Sequence, residues 1–184
     1  MRELLLAVAC MGGLAGPALA TGLDIQIAGE ANGTVHIDLY DKKAPKNVAQ
    51  VVELAKEGAY DDVYFHRVID GFMAQTGDVE YGKVGGDMRM AGRGGSHLPD
   101  LPAEFTDIPF KRGTVGMARS QDPNSANSQF FIMFAPGDFL NGQYTVIGEV
   151  TKGMDVVDKI KRGMGQNGSV TGEPDRMVKV TVTE

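Results

Sequence analysis

The chain has no tryptophan, one cysteine and three histidines, and each scarcity closes off a class of chemistry. The lone cysteine, Cys10, sits in an apolar stretch at the extreme N-terminus, so the rest of the chain has no disulfide, no thiolate nucleophile and no cysteine metal site. His36, His66 and His97 are widely separated, and none falls in a metal-ligand spacing. Basic residues are outnumbered by acidic ones, 18 against 24, and the net charge of −6 has the wrong sign for a nucleic-acid surface. Gly94-Gly95-Ser96-His97-Leu98 lacks the second glycine of a nucleophile elbow, and Gly92-Arg93-Gly94-Gly95 fits no strand-to-helix phosphate motif. No carboxylate pair suited to glycoside hydrolysis can be placed. These absences predict a protein without metal or organic cofactor.

What is present is ordinary for a globular domain: 184 residues, 42% hydrophobic and 23% charged, with no internal repeat and no linker. One core is expected, in one domain. Residues 1–20 read separately: a short start with Arg2, an apolar run, a breaker at Pro17, and Ala18-Leu19-Ala20 as a small-x-small cleavage site. The run is shorter than the roughly 20 residues that span a bilayer. It reads as a secretory signal peptide, with Cys10 too poorly placed for lipid attachment. Cleavage after Ala20 leaves residues 21–184 as the mature domain, exported to a periplasm or, alternatively, to the medium, with no stable membrane insertion.

Ile25 and Ile27, then Val35, Ile37 and Leu39, alternate with polar neighbours, the period of half-buried strands, and Asn32-Gly33 between them is a favourable hairpin dipeptide. Pro45 suits a helix start, Val48, Val51, Val52 and Ala55 mark one face, and Gly58 supplies the stop. Residues 63–69 and 72–75 read as strands split by Asp70-Gly71. From Gly77 to Gly116 glycines and prolines crowd together, which predicts loop. Strands are expected again over residues 114–118, 129–134 and 145–150, the second too continuously apolar to have a solvated face. A helix is expected from Met154 through Ile160 to Gly163, and a closing strand over residues 177–183. The pattern is mainly β, and by itself it leaves a sandwich and a barrel both open.

Two segments carry the chemistry: FHRVIDGFMAQTGD, starting at Phe65, and SQFFIM, starting at Ser128. Strict alternation over residues 63–69 puts Phe65, Arg67 and Ile69 on one face and His66 and Val68 on the other. An arginine thus shares a face with apolar neighbours. Both segments, with Ala44-Pro45-Lys46-Asn47-Val48, Ala103-Glu104-Phe105, Gly113-Thr114-Val115-Gly116-Met117-Ala118 and Phe139-Leu140-Asn141-Gly142, closely resemble the cyclophilin family of peptidyl-prolyl cis-trans isomerases. The similarity runs from about Asp24 to the C-terminus, and the chain resembles bacterial exported members.

The resemblance implies a closed eight-stranded antiparallel barrel capped by two α-helices, rotation about X-Pro bonds as the activity, assistance to folding of exported proteins as the role, and proline-containing polypeptides as partners. It implies Arg67 as the catalytic arginine, with Gln75 and Gln129 as its polar companions. Phe72, Met73, Phe131 and Leu140 correspond to the walls of a proline pocket, and Met117, Ala118 and Arg119 to a strand edge that holds substrate backbone. His66 corresponds to a histidine near the site, expected to be structural. The alternative is a cyclophilin-like binding module or chaperone with little turnover, against which the retained Arg67, Gln75, Phe72 and Phe131 argue. A monomer is expected.

Three positions depart from the family pattern. Phe139 stands where vertebrate-type members carry tryptophan, Tyr144 where many have histidine, and Arg119 where asparagine is common. Loss of the indole donor predicts weak affinity for cyclosporin-like ligands. At position 119 the backbone is expected to matter more than the side chain.

Overall fold

The computed structural model describes residues 21–165 and 167–184, so the signal segment expected over residues 1–20 lies outside them. Nine strands form one antiparallel sheet: β1 (Gly22–Ala28), β2 (Gly33–Leu39), β3 (Val63–Tyr64), β4 (Arg67–Ile69), β5 (Met73–Thr76), β6 (Thr114–Met117), β7 (Phe130–Met133), β8 (Val146–Lys152) and β9 (Arg176–Thr183). Their order across the sheet is β3-β9-β1-β2-β8-β6-β7-β5-β4. Two helices accompany it, α1 (Pro45–Lys56) and α2 (Met154–Val157). No helix among the described residues is long and apolar enough to cross a membrane.

The sheet is a curled half-barrel of nine strands, not the closed eight-stranded barrel that the resemblance implied. Its edges, β3 and β4, are consecutive in the chain and separated only by Phe65 and His66. Two residues reach about 10 Å at most from Tyr64 to Arg67, so the sheet has to curl until its edges approach. No ladder closes the gap. The free edge of β4 is covered instead by the returning chain: Val68 N–H donates to the Gly168 carbonyl, Gly163 N–H to the Val68 carbonyl, and Val170 N–H to the His66 carbonyl. The single strand expected over residues 63–69 is therefore two, and the break reverses its faces. Val63, Phe65 and Val68 all enter the main core, whereas Arg67 is left half-buried on the opposite side.

Both faces of the middle strands are covered, which explains the unbroken apolar run in β7. On one face Val68, Ala74, Ile132 and Val115 stand side by side across β4, β5, β7 and β6, all fully buried. On the other, the same strands align Arg67, Gln75, Phe131 and Gly116. That second row is the floor of the site described below. Gly116 has to lack a side chain: a Cβ there would lie 2.7 Å from Phe131 Cζ and 2.6 Å from Phe110 Cε1. Gly116→Ala is expected to cost about 1–3 kcal/mol by overpacking and to push the Phe131 ring outward. Denaturant melts together with peptide turnover would register both effects.

Helix α1 buries Val48, Val51, Leu54 and Ala55 against the sheet, with Val52 only partly covered. Its N-cap residue, Ala44, offers no side-chain oxygen, and Glu104 takes that role from afar. The Glu104 carboxylate accepts from the Lys46 and Asn47 backbone N–H groups at 3.0–3.1 Å, placing a negative charge at the helix N-terminus. Helix α2 is shorter than expected, ending at Val157 rather than at Gly163. Its N-cap is Gly153, whose φ of 86° and close approach to the Thr34 carbonyl exclude a side chain. The Asn32-Gly33 hairpin also differs in detail, since Gly33 already belongs to β2, opposite Ile27.

The glycine-rich segment is loop, as expected, with no strand between Thr76 and Thr114, yet it is tightly organised. Its centre is the fully buried carboxylate of Asp78. Oδ1 accepts from the backbone N–H groups of Glu80 and Tyr81 at 3.1 and 2.9 Å, and Oδ2 from those of Gly92 and Gly94 at 2.7 and 3.0 Å. A single side chain thus satisfies four donors that a loop would otherwise leave unpaired.

Candidate active site

A groove of about 480 Å³ opens over the row formed by Arg67, Gln75 and Phe131. Ten of the residues singled out in the sequence line it: Arg67, Phe72, Met73, Gln75, Ala118, Arg119, Phe131, Phe139, Leu140 and Tyr144. Sequence reasoning missed Gln143, which also lines it. The groove rests on a second apolar cluster of Met73, Phe110, Phe131, Met133, Leu140 and Val146. Strand β5 and the hairpin turn at Asp70-Gly71 supply Phe72 and Met73, β7 supplies Phe131, and the 3-10 turn Asp138–Leu140 brings Phe139 and Leu140 to the rim.

The aromatic rings hold one another in place. Phe131 is stacked on Phe110 at 5.7 Å and meets the edge of Tyr144 at 5.9 Å, while Phe139, 71% exposed, leans on Phe72 at 5.4 Å. Such contacts fix an apolar cradle before any ligand arrives.

The Arg67 guanidinium is anchored without a carboxylate. Nε donates to the Asn167 carbonyl at 2.9 Å and Nη1 to Gln75 Oε1 at 3.0 Å. Gln75 Nε2 donates to Gln129 Oε1 at 2.9 Å, and Gln129 Nε2 donates to the Gly94 carbonyl at 2.8 Å. This chain of amides orients the guanidinium from behind. Gln129 therefore faces a neighbouring groove and reaches Arg67 only through Gln75. Desolvation by partial burial lowers the Arg67 pKa from its usual range, and the group stays cationic at neutral pH. A cation with no neutralising partner among the described residues faces an apolar cradle, an arrangement that can stabilise an electron pair developing on a bound group.

Besides Gln129, two of the residues singled out stand away from the groove. Met117 is buried in the main core opposite Phe130, so only the Ala118 and Arg119 part of that segment reaches the groove. His66 is also buried, packed beneath Gly92, and neither ring nitrogen forms a hydrogen bond among the described residues. Burial lowers its pKa to about 4, against the opposing pull of Asp78. The ring is neutral when folded and takes up a proton near pH 6.5 when unfolded, so protonation favours unfolding. The stability due to this group is complete above about pH 6.5 and fades as pH falls towards 4, by up to about 3 kcal/mol. Denaturant melts between pH 4.5 and 7.5 are expected to show a shallower pH slope in His66→Leu than in the wild type.

The Arg119 side chain is held in the groove wall. Its guanidinium carbon lies 4.4 Å from the centre of the Tyr144 ring, and its N–H groups donate to the carbonyls of Gln143, Ser120 and Gln121. The two departures at positions 119 and 144 are thus one stacked pair in the groove wall.

The family model for cyclophilin-type peptidyl-prolyl cis-trans isomerases matches residues 23–182. A probable peptidyl-prolyl cis-trans isomerase of Brucella suis is 60% identical over 153 residues, covering 82% of this chain and 78% of that protein. Peptidyl-prolyl cis-trans isomerase B of Escherichia coli is 37% identical over 175 residues, covering 83% and 96%. In fold, the chain resembles a Cryptosporidium parvum cyclophilin with a TM-score of 0.75 at 22% identity, over 90% of this chain and 98% of that one. The same parasite protein has been solved in the presence of the dipeptide Ala-Pro, where the TM-score is 0.73 at 23% identity, over 89% and 99%. The fold and groove define a mainly-β protein with a polar-flanked apolar cradle. The chain belongs to the cyclophilin-type peptidyl-prolyl cis-trans isomerase family.

Proposed function

We propose that the groove accelerates rotation about X-Pro bonds, with Arg67 as the catalytic group. The observation that carries this reading is the Arg67 guanidinium fixed by Gln75 and the Asn167 carbonyl at the edge of a cradle made by Phe72, Met73, Phe131 and Leu140. Rotation breaks amide resonance, a barrier of about 18–20 kcal/mol, and no covalent bond has to form. As resonance is lost the proline nitrogen regains its lone pair and becomes a better acceptor. A guanidinium aimed at that nitrogen binds the twisted state more strongly than either planar state, which is what catalysis requires. The cradle grips the pyrrolidine ring while the acyl side turns. Gln75, backed by Gln129, keeps the guanidinium in position.

The N-terminal segment supports a role in folding exported proteins: residues 1–20 are removed and residues 21–184 act on proline-containing chains in a periplasm. Two measurements test the reading. NMR exchange on an Ala-Pro peptide is expected to show catalysed interconversion, and the mature N-terminus in a fractionated host is expected at Thr21. Absence of catalysis, or an uncleaved cytosolic protein, overturns the corresponding half. For cyclosporin-like ligands, Phe139 supplies a ring without an N–H donor, so affinity is expected to be weak in a calorimetric titration, and tight binding would contradict this.

A further inference from the structure

Seven arginines lie within the described residues, and they divide cleanly. Arg89, Arg112, Arg162 and Arg176 pair with carboxylates. Arg67, Arg93 and Arg119 form no ion pair among the described residues, and these three line the site. Arg67 and Arg119 border the prolyl groove, which has no acidic wall residue among the described residues. Arg93 and Arg119 border the adjoining groove of about 350 Å³, where the one acid is Asp100, already accepting from Asn127 Nδ2 at 2.9 Å. In a chain of formal charge −6, the arginines without an ion pair among the described residues thus border these two grooves.

Arg119 is the cation common to both grooves. Stacking on Tyr144 covers one of its faces, and the carbonyls of Ser120, Gln121 and Gln143 hold its N–H groups, so its position is set before binding. A cation immobilised in this way loses little entropy on meeting an anion. Gln75, Ala118 and Arg119 line both grooves, so a peptide whose proline occupies the first carries its neighbouring residues past Arg119 into the second.

We infer that this isomerase selects proline segments flanked by acidic side chains, with Arg119 as the specificity-determining residue. The inference rests on the prolyl-isomerase reading and adds a charge preference to it. A glutamate within two residues of the proline meets Arg119, with Arg93 adding to the field, whereas a lysine there is repelled.

The test uses end-capped Ala-Pro peptides bearing Glu, Gln or Lys at each of the two positions on either side of the proline. Binding is followed by chemical-shift titration and turnover by NMR exchange, with the uncatalysed rate subtracted. At one position at least, kcat/KM and affinity are expected to favour Glu over Lys by about tenfold at low salt, and the ratio is expected to shrink strongly near 0.5 M salt. In Arg119→Gln the Glu-to-Lys ratio is expected to fall towards one. Equal treatment of Glu and Lys by the wild type, or an unchanged ratio in a folded Arg119→Gln, overturns the inference. The salt dependence of the wild type decides the matter if the variant does not fold. Lack of turnover on the Gln peptides would instead overturn the isomerase reading, while the titration would still report the charge preference.

Discussion

Arg67→Ala is expected to lower kcat/KM on an Ala-Pro peptide by about 10²–10³, the usual cost of removing a donor aimed at developing charge. The fold is expected to survive, because Arg67 is only half-buried and the β4 ladder opposite Gln75 is made by backbone groups. Arg67→Lys keeps the charge but loses the planar fork. The guanidinium spends Nε on the Asn167 carbonyl and Nη1 on Gln75 Oε1 and Met73 Sδ, leaving Nη2 without a partner among the described residues. An ammonium cannot hold two anchors in that plane and also present a fixed donor to the substrate. The lysine variant is therefore expected to lie much closer to alanine than to the wild type, as coupled or NMR exchange assays would read.

Asp78→Asn is expected to destabilise the protein by about 2–4 kcal/mol despite its near-identical shape. Each carboxylate oxygen of Asp78 accepts from two backbone N–H groups, and an amide replaces one acceptor by a donor pointing at donors. The loss reaches the site. Gly94, whose N–H is held by Asp78, offers its carbonyl to Gln129, and Gln129 positions Gln75 behind Arg67. Faster hydrogen exchange at the Gly92 and Gly94 amides, with a drop in turnover of about tenfold, is the expected outcome. Native-like protection in the variant would show that the loop is held by other contacts.

The sequence made some of this legible and concealed the rest for physical reasons. Alternation in β1 and β2 reported one buried face directly, and the continuous apolar run of β7 correctly signalled a strand covered on both sides. Alternation failed at Phe65 and His66, because a change of face between two buried stretches leaves no mark in a hydrophobic pattern. The closed barrel failed with it, since the chain covering β4 comes from residues 163–170, far away in sequence. Helix α2 was overextended because its apolar spacing continues through Ile160 into turns that bury the same residues. Within the site, the spacing of Arg67 and Gln75 about the Asp70-Gly71 turn is a hairpin register that local sequence encodes. Three contributions came only from tertiary contact: the buried carboxylate of Asp78 that shapes the loop, the Gln129 link to Gly94, and the Arg119 stack on Tyr144.

Separating binding from rotation in Arg67→Ala tests the central claim most directly. NMR line-shape analysis of a saturating Ala-Pro peptide yields both the dissociation constant and the cis-trans exchange rate within the complex. If the guanidinium acts on the twisted state alone, the bound-state exchange rate falls by about 10²-fold or more while the dissociation constant changes by less than about threefold. A variant that binds the peptide much more weakly yet rotates it at the wild-type rate once bound would make Arg67 an anchor for the ground state and contradict the mechanism.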